Sequence, residues 1–340
     1  MNDKKLIEII QTVLYGKKID DLPSGDTIWD TLLEAASRNR VLYYFASQVE
    51  SNYRSCLSSV IRKKIEMIIS EGNIWQERLK NTLLFIKDNF SKYNILYLIV
   101  KTKRNIPYVT YDVDVLIREE DFLKVKEILN AEGQFTKHPG KQSKNQINFF
   151  GNDLLTIDIH KDFTWQGFRY LEKDIVWKKY TNTIIASIEV PIPTSPIEFI
   201  LYVAHLVYER RYITLLDLNN LVDLSNVISD YSTILEQTEQ FGWKNSFLNL
   251  ISILNSLSYH IYPYFRKVLP LSTEELKISE KGFEMPYFIP SLHVLSSFKE
   301  KIVFERKIPY WDIAYYIYTT FRYHISGKKR FPYYIDWLKK

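Results

Sequence analysis

Two aspartates stand one residue apart in the apolar run YDVDVLI, residues 111–117. Runs of this length, rich in Val and Ile, predict a buried strand. Side chains alternate along a strand, so Asp112 and Asp114 share one face, with Cα atoms about 6.6–7 Å apart, while Val113 and Val115 face the core. Buried carboxylates are costly unless a charge compensates them. The spacing therefore indicates a site for a hard divalent cation, Mg²⁺ or Mn²⁺, which prefers oxygen ligands and is often shared with substrate phosphates.

A third acid, Asp158, lies in a second β-rich run, LLTIDIH. Alternation places Leu155, Ile157 and Ile159 on one face of this strand and Thr156, Asp158 and His160 on the other. If the two strands pair, three carboxylates converge, which suits two-metal phosphoryl displacement. Asp153 and Asp162, nearer the strand ends, are weaker candidates.

Two histidines accompany these acids in the sequence. His160 is interpreted as a hydrogen-bonding neighbour of the carboxylates rather than a metal ligand. His205 is interpreted as a residue on a helix face that pairs with Glu209, four positions later.

Basic residues form three groups. Lys101, Thr102, Lys103 and Arg104 follow the strand before the Asp-x-Asp run, where the cations could hold phosphates. No acid occurs from 134 to 152, which contains Lys137, Lys141 and Lys144. Residues 299–340 carry ten Lys or Arg and four Asp or Glu, while the whole chain has a net charge of +5. The second group could contact a triphosphate or RNA, and the third could contact RNA or an anionic membrane surface. The alternative for each of the three groups is a solvated surface.

The periodicity of apolar residues divides the chain of 340 residues into three parts. Helical spacing predicts an N-terminal helical region over 1–92 and a C-terminal helical region with a basic tail over 194–340. Short β-rich runs predict a small mixed sheet over 93–193, interrupted by a helix at EEDFLKVKEILNAEG and a basic loop within FTKHPGKQSKNQINFF. The fold class is therefore α+β.

The start of the C-terminal region contains a helix signal. Ser195 is predicted as N-cap, with Pro196 at the first helical position and Glu198 completing a capping box. The run LLDLNNLVDLSNVI predicts the next helix.

Composition excludes several classes of protein. With 10 glycines, the chain has neither GxGxxG nor GxxxxGK[ST], and its single cysteine, Cys56, rules out an intrachain disulfide and a cysteine-rich zinc site. The longest apolar run, YNILYLIV, is too short to span a bilayer. No signal peptide is expected from MNDKKLIEII, so we predict a cytoplasmic protein.

The motifs resemble the nucleotidyltransferase superfamily, which has the DNA polymerase β-like fold. More narrowly, the chain resembles a group of uncharacterised nucleotidyltransferases with a helical leader and a helical C-terminal region. That group has Lys-Gly after the first strand, then Asp-Ile-Asp, then Asp-hydrophobic-His. The corresponding segments here are IVKT, DVDVLI and DIH, with looser matches in PTSPIEFILYVAH and LLDLNNL. Thr102 stands where the superfamily has glycine, and its side chain could crowd the phosphates.

The resemblance implies transfer of a nucleoside monophosphate from an NTP to an acceptor hydroxyl, with release of pyrophosphate. It implies that Asp112, Asp114 and Asp158 hold the metal and carry the catalysis, and that residues 101–104 bind the nucleotide. The acceptor stays open between RNA, a protein hydroxyl and a small molecule, and so does the oligomeric state. One alternative is a non-catalytic nucleotide- or RNA-binding module on the same fold. A second is a glycosyltransferase that uses Asp-x-Asp, which usually has several strand–helix units before that motif.

Overall fold

A computed structural model describes residues 3–17, 25–131, 133, 135–143, 146–165, 168–210, 212–261, 285 and 287–288. Four helices come first: α1 (Asp3–Leu14), α2 (Asp26–Arg38), α3 (Leu42–Tyr53) and the long α4 (Ser59–Lys92). A single 3₁₀ turn, Arg54–Cys56, joins α3 to α4. The helical prediction for this part of the chain is confirmed.

The central part of the chain forms a mixed five-stranded sheet with the strand order β1-β2-β5-β4-β3. The strands are β1 (Tyr97–Val100), β2 (Asp112–Ile117), β3 (Phe135–Ser143), β4 (Gln146–Gly151) and β5 (Thr156–His160). Strands β2 and β5 are parallel, whereas the β1–β2, β5–β4 and β4–β3 pairs are antiparallel. The predicted α+β class with a small mixed sheet is confirmed.

Helix α5 (Phe122–Ala131) follows a 3₁₀ turn, Glu119–Asp121, and lies between β2 and β3, as predicted. Its Val125, Ile128 and Leu129 are buried in the core on one face of the sheet. After the helix, Gly133 has φ 66°, a left-handed conformation that glycine adopts without strain.

The two strands predicted within residues 135–150 are confirmed, but Lys137 and Lys141, which were predicted in the basic loop between them, belong to β3, which continues to Ser143. Its pairing with β4 shifts register between Lys137 and Gln142. Strand β3 is the edge of the sheet, where a bulge and a proline such as Pro139 are tolerated because no further strand needs its N–H groups.

Small elements then lead to the C-terminal helices. They are β6 (Thr164–Trp165), β7 (Phe168–Arg169), α6 (Lys173–Lys178) and the hairpin of β8 (Tyr180–Ile185) and β9 (Ile188–Pro193). The hairpin turns at Ala186 and Ser187, both with positive φ.

The last described elements are mainly helical, as predicted. They are α7 (Ser195–Ala204), a π-helical segment (His205–Arg210), β10 (Tyr212–Ile213), α8 (Leu215–Asn226), α9 (Ser232–Gln240), α10 (Lys244–Ile261) and β11 (Tyr287–Phe288). Helix α8 coincides with the run predicted as the next helix. Within the described ranges, no helix combines the length and apolar character needed to cross a bilayer.

Two hydrophobic clusters hold these elements together. One lies on one face of the sheet and contains Val113, Val115, Ile157 and Ile159, together with residues of α4 and α5. The other joins the N-terminal helices to α7, α8 and α10, and includes Leu116 from the opposite face of β2. Asp112 and Asp114 have the same parity as Leu116, so they lie on the face that meets the helices.

Candidate functional site

Asp112 and Asp114 line a cavity of about 310 Å³ between the sheet and the flanking helices. The predicted alternation is observed, since Val113 and Val115 are fully buried on the opposite face. The walls come from the loop before β2, the end of α2, α7 and the π-helical segment. The lining residues are Arg40, Lys101, Thr102, Arg104, Tyr108, Thr110, Tyr111, Asp112, Asp114, Tyr202, His205, Glu209, Arg210 and Tyr212.

Asp158 lies beside this pair, as the sequence predicted. Strands β2 and β5 are parallel, and Asp114 is the register partner of Asp158, so the two side chains share a face. Asp158 is 8% exposed, accepts a hydrogen bond from Gln146 Nε2 at 3.4 Å, and is not one of the cavity-lining residues. Among the described residues, no three Asp, Glu, His or Cys side chains form a group that could hold a metal ion. The three-acid metal centre therefore stays a prediction.

Two groups bind the Asp114 carboxylate through the same oxygen. Oδ1 lies 3.1 Å from Lys101 Nζ and 2.7 Å from His160 Nε2. Burial acts to raise the pKa of Asp114, but the Lys101 charge and the His160 hydrogen bond outweigh it and hold the pKa well below its usual range. Burial likewise acts to lower the pKa of Lys101, yet Asp114 and Glu209 raise it well above its usual value. Asp114 and Lys101 are therefore an ion pair, and His160 is the hydrogen-bonding neighbour that was predicted.

Asp112 has a different environment. Its carboxylate is exposed to the cavity, and Thr110 Oγ1 donates a hydrogen bond to Oδ1 at 3.2 Å. Protein surrounds the group on its other sides, and this burial together with the Asp114 charge raises the pKa of Asp112. Two carboxylates that repel each other beside an open cavity are a donor set that suits a divalent cation.

The loop from Lys101 to Arg104 is fixed by its own contacts. Lys101 has φ 55°, in the left-handed region. Arg104 Nη1 donates to the carbonyl oxygens of Lys101 at 2.6 Å and Lys103 at 2.7 Å, and its guanidinium lies 4.2 Å from the Tyr202 ring centroid. Thr102 is 3% exposed, and its hydroxyl donates to Val100 O at 3.1 Å. Lys101, Thr102 and Arg104 line the cavity, whereas Lys103 does not.

Glu198 anchors this loop from α7, a role that the sequence did not suggest. Both of its carboxylate oxygens lie 3.2 Å from Lys101 N, which donates to them. The predicted capping box is wrong: the N-cap of α7 is Thr194, without a side-chain capping bond, and Glu198 faces Lys101 instead. Burial, opposed by Arg104 and Lys101, raises the pKa of Glu198 to about 7.

The π-helical segment contributes the opposite wall of the cavity. His205 Nδ1 lies 2.6 Å from Glu209 Oε2, which confirms the predicted pair. Burial acts to raise the pKa of Glu209, but Lys101 and His205 lower it to about 2. Arg210 forms an ion pair with Asp217, which is fully buried and forms a capping box with Thr214 at the start of α8.

Arg40 enters the cavity from the end of α2, with φ 62°. Its positive charge acts to lower the pKa of Asp112. The sequence analysis assigned no site residue to the N-terminal helical region, and no motif marked Arg40. Only the tertiary structure brings this residue to the aspartates.

The structure does not test the residues that were predicted to contact RNA. Lys137 and Lys141 belong to edge strand β3. Lys144 and the tail 299–340 lie outside the described residues. An RNA partner therefore stays a prediction.

Comparison with known proteins shows that one segment of the chain is similar to a known family. Residues 110–258 match the family model of uncharacterised nucleotidyltransferases. This match confirms the resemblance drawn from the sequence, and the matched segment contains Asp112, Asp114, Asp158 and the π-helical segment. No curated protein matches the chain. A solved structure of the lincosamide antibiotic adenylyltransferase LnuA, bound to lincomycin, is similar at 12% identity and a TM-score of 0.27, over 35% of this chain and 82% of that one.

Proposed function

We propose that this nucleotidyltransferase domain is a metal-dependent enzyme that moves a nucleoside monophosphate from an NTP to an acceptor hydroxyl. The observation that supports this most is the cavity in which Asp112 and Asp114 meet four cationic side chains. Those side chains are Arg40, Lys101, Arg104 and Arg210. Carboxylates and cations in one cavity suit a triphosphate bound together with Mg²⁺ or Mn²⁺.

Asp112 and Asp114 would hold the cation, which when bound would neutralise charge on the phosphate oxygens. Lys101 and Arg40 attract the phosphates, since both side chains line the cavity. Arg104 has a structural part as well, because it donates to two carbonyls of the loop that carries Lys101.

In the proposed reaction the acceptor oxygen forms a bond to the α-phosphorus, and the bond from that phosphorus to the β-phosphate oxygen breaks. Pyrophosphate leaves with the electron pair of that bond. The hydroxyl proton passes to a carboxylate, for which we propose Asp158, because it lies in register with Asp114 on the same face.

Calorimetry with each NTP and Mg²⁺ tests the binding step. Wild-type protein should bind an NTP only with the metal, and Asp112→Asn or Asp114→Asn should weaken binding at least ten-fold by removing a charge that the cation needs. Asp153→Asn is the matched control, because Asp153 is an exposed acid in the loop before β5. Equal metal-dependent affinity in all four proteins would contradict the proposal.

Label transfer tests the chemical step. Each α-labelled NTP is offered with RNA, cell lysate, or the protein alone, and labelled product should be lost in Asp158→Ala. The second candidate function, a non-catalytic nucleotide-binding module, is favoured by the Lys101–Asp114 ion pair and by Thr102 at the glycine position. Metal-dependent binding without transfer to any acceptor would support that module.

A further inference from the structure

A second, smaller cavity of about 50 Å³ adjoins the candidate active site on the side of the N-terminal helices. Arg40 and Tyr111 line both cavities, so a single ligand could extend from one into the other. Tyr111 directly precedes Asp112 in the chain. The two cavities therefore adjoin each other near Asp112.

Aromatic rings form much of this smaller cavity, which we call the aromatic niche. Trp75, Tyr43 and Tyr111 line it, and the rings of Trp75 and Tyr111 are 4.6 Å apart at 78°. Gly72 of α4 makes the arrangement possible, because a Cβ at this position would lie 1.9 Å from Tyr43 Cδ2. Glu71 supplies a carboxylate to the lining.

We propose that the aromatic niche binds the heterocyclic base of the nucleotide. This inference rests on the proposed function, which places the triphosphate among the cations of the larger cavity. Base, ribose and phosphates are covalently linked, so a base site must adjoin the phosphate site. The two cavities meet this condition, because Arg40 and Tyr111 line both. Aromatic side chains stack on bases of every kind.

The dimensions and the charge of the niche agree with this occupant. Since one water needs roughly 10–15 Å³ of such volume, about 50 Å³ holds a few waters, which is room for one six-membered ring. The Glu71 carboxylate can only accept hydrogen bonds when ionised. It therefore favours adenine, cytosine or guanine, each of which has an exocyclic amino group as donor, over uracil, which has no amino group and whose N3–H lies between two carbonyl oxygens.

Calorimetry with ATP, UTP and inorganic tripolyphosphate, each with Mg²⁺, tests the assignment on the full-length protein. Wild type should bind ATP more tightly than tripolyphosphate. Trp75→Leu should weaken the affinity for ATP about ten-fold and leave the affinity for tripolyphosphate unchanged. Trp75→Phe should restore ATP binding, which separates stacking from a loss of folding. Glu71→Gln should reduce the difference in affinity between ATP and UTP. Ile74→Ala is the control on the same helix, because Ile74 is 53% exposed and lies outside the niche lining.

Three other results would each contradict the base assignment in a different way. Equal binding of ATP and tripolyphosphate by wild type would overturn the base site and leave the proposed function standing. No binding of either would overturn both. If Trp75→Leu keeps ATP affinity but loses label transfer, the niche belongs to the acceptor, and the base assignment is wrong.

Discussion

Lys101 and Asp114 form a buried ion pair in the cavity, with side chains 8% and 19% exposed. Such a pair is sensitive to the loss of one partner, because the remaining charge is then buried without compensation. A divalent cation bound at Asp114 would compete with Lys101, because both would neutralise the same carboxylate.

Lys101→Met should destabilise the protein by about 3 kcal/mol, because it leaves the Asp114 carboxylate with His160 and without its cation. Urea unfolding at pH 7 measures the change. The double variant Lys101→Met with Asp114→Asn should recover much of the loss, as expected for directly coupled residues. Lys103→Met is the matched control, because Lys103 lies outside the cavity lining. Additive effects of the two changes would show that the ion pair does not couple these residues.

Asp112→Asn should raise stability at pH 7 while it weakens nucleotide binding. The pKa of Asp112 is raised in the folded protein, so folding favours its protonated form, and the ionised carboxylate costs stability above its unfolded pKa of 3.8. Asparagine removes that cost together with the repulsion of Asp114. Thermal melting across pH 4–8 measures the change in stability, with Asp153→Asn as a control. A lower melting temperature for Asp112→Asn at pH 7 would contradict the assigned repulsion.

At the scale of elements, the cavity depends on α7 and on the loop that follows β1. Glu198 of α7 holds the N–H of Lys101, while Arg104 holds its carbonyl. Lys101 keeps a left-handed backbone conformation without being glycine, which costs free energy and persists only where the surroundings fix it. Helix α7 therefore positions the lysine that binds Asp114.

The pH dependence of Glu198→Gln should reveal this anchor. Burial raises the pKa of Glu198 from 4.5 to about 7, so its contribution to stability falls as the pH rises through that window, by about 3 kcal/mol in total. Glutamine does not titrate. The stability of Glu198→Gln relative to wild type should therefore increase from pH 5 to pH 8 in urea unfolding.

The exposed Glu189 of β9 provides the matched control, Glu189→Gln. Its stability difference from wild type should be flat over the same range. A flat difference for Glu198→Gln as well would show that the Glu198 carboxylate titrates normally in the fold.

The sequence predicted the elements whose side chains follow a clear period. Alternation in β2 and β5 was enough to place Asp112, Asp114 and Asp158 on one face, and to bury Val113 and Ile157 opposite them. It could not predict Glu198, because a glutamate near a helix start has a local explanation as a cap. The competing partner, Lys101 N, lies 97 positions away and becomes apparent only in three dimensions.

At the scale of the whole molecule, the N-terminal and C-terminal helices share one hydrophobic cluster. Asn39 joins them by hydrogen bonds. Its Oδ1 accepts from Leu215 N at 3.2 Å, and its carbonyl accepts from Leu216 N at 3.3 Å, so residues from the end of α2 satisfy the first N–H groups of α8. Arg40, the next residue, lines the cavity. The packing of the two helical regions therefore sets the position of a cation in the candidate active site.

Asn39→Ala should lower stability by about 2 kcal/mol, because Asn39 is fully buried and its loss leaves the Leu215 N–H without its acceptor. Hydrogen exchange should show faster exchange at the start of α8, and calorimetry should show weaker nucleotide binding, since Arg40 loses its fixed backbone. Asn52→Ala, in an exposed position on α3, should change neither the hydrogen exchange of α8 nor nucleotide binding. If Asn39→Ala destabilises the protein but keeps full nucleotide affinity, Arg40 does not take part in binding. If protection of α8 is unchanged, the link between the two helical regions does not depend on this side chain.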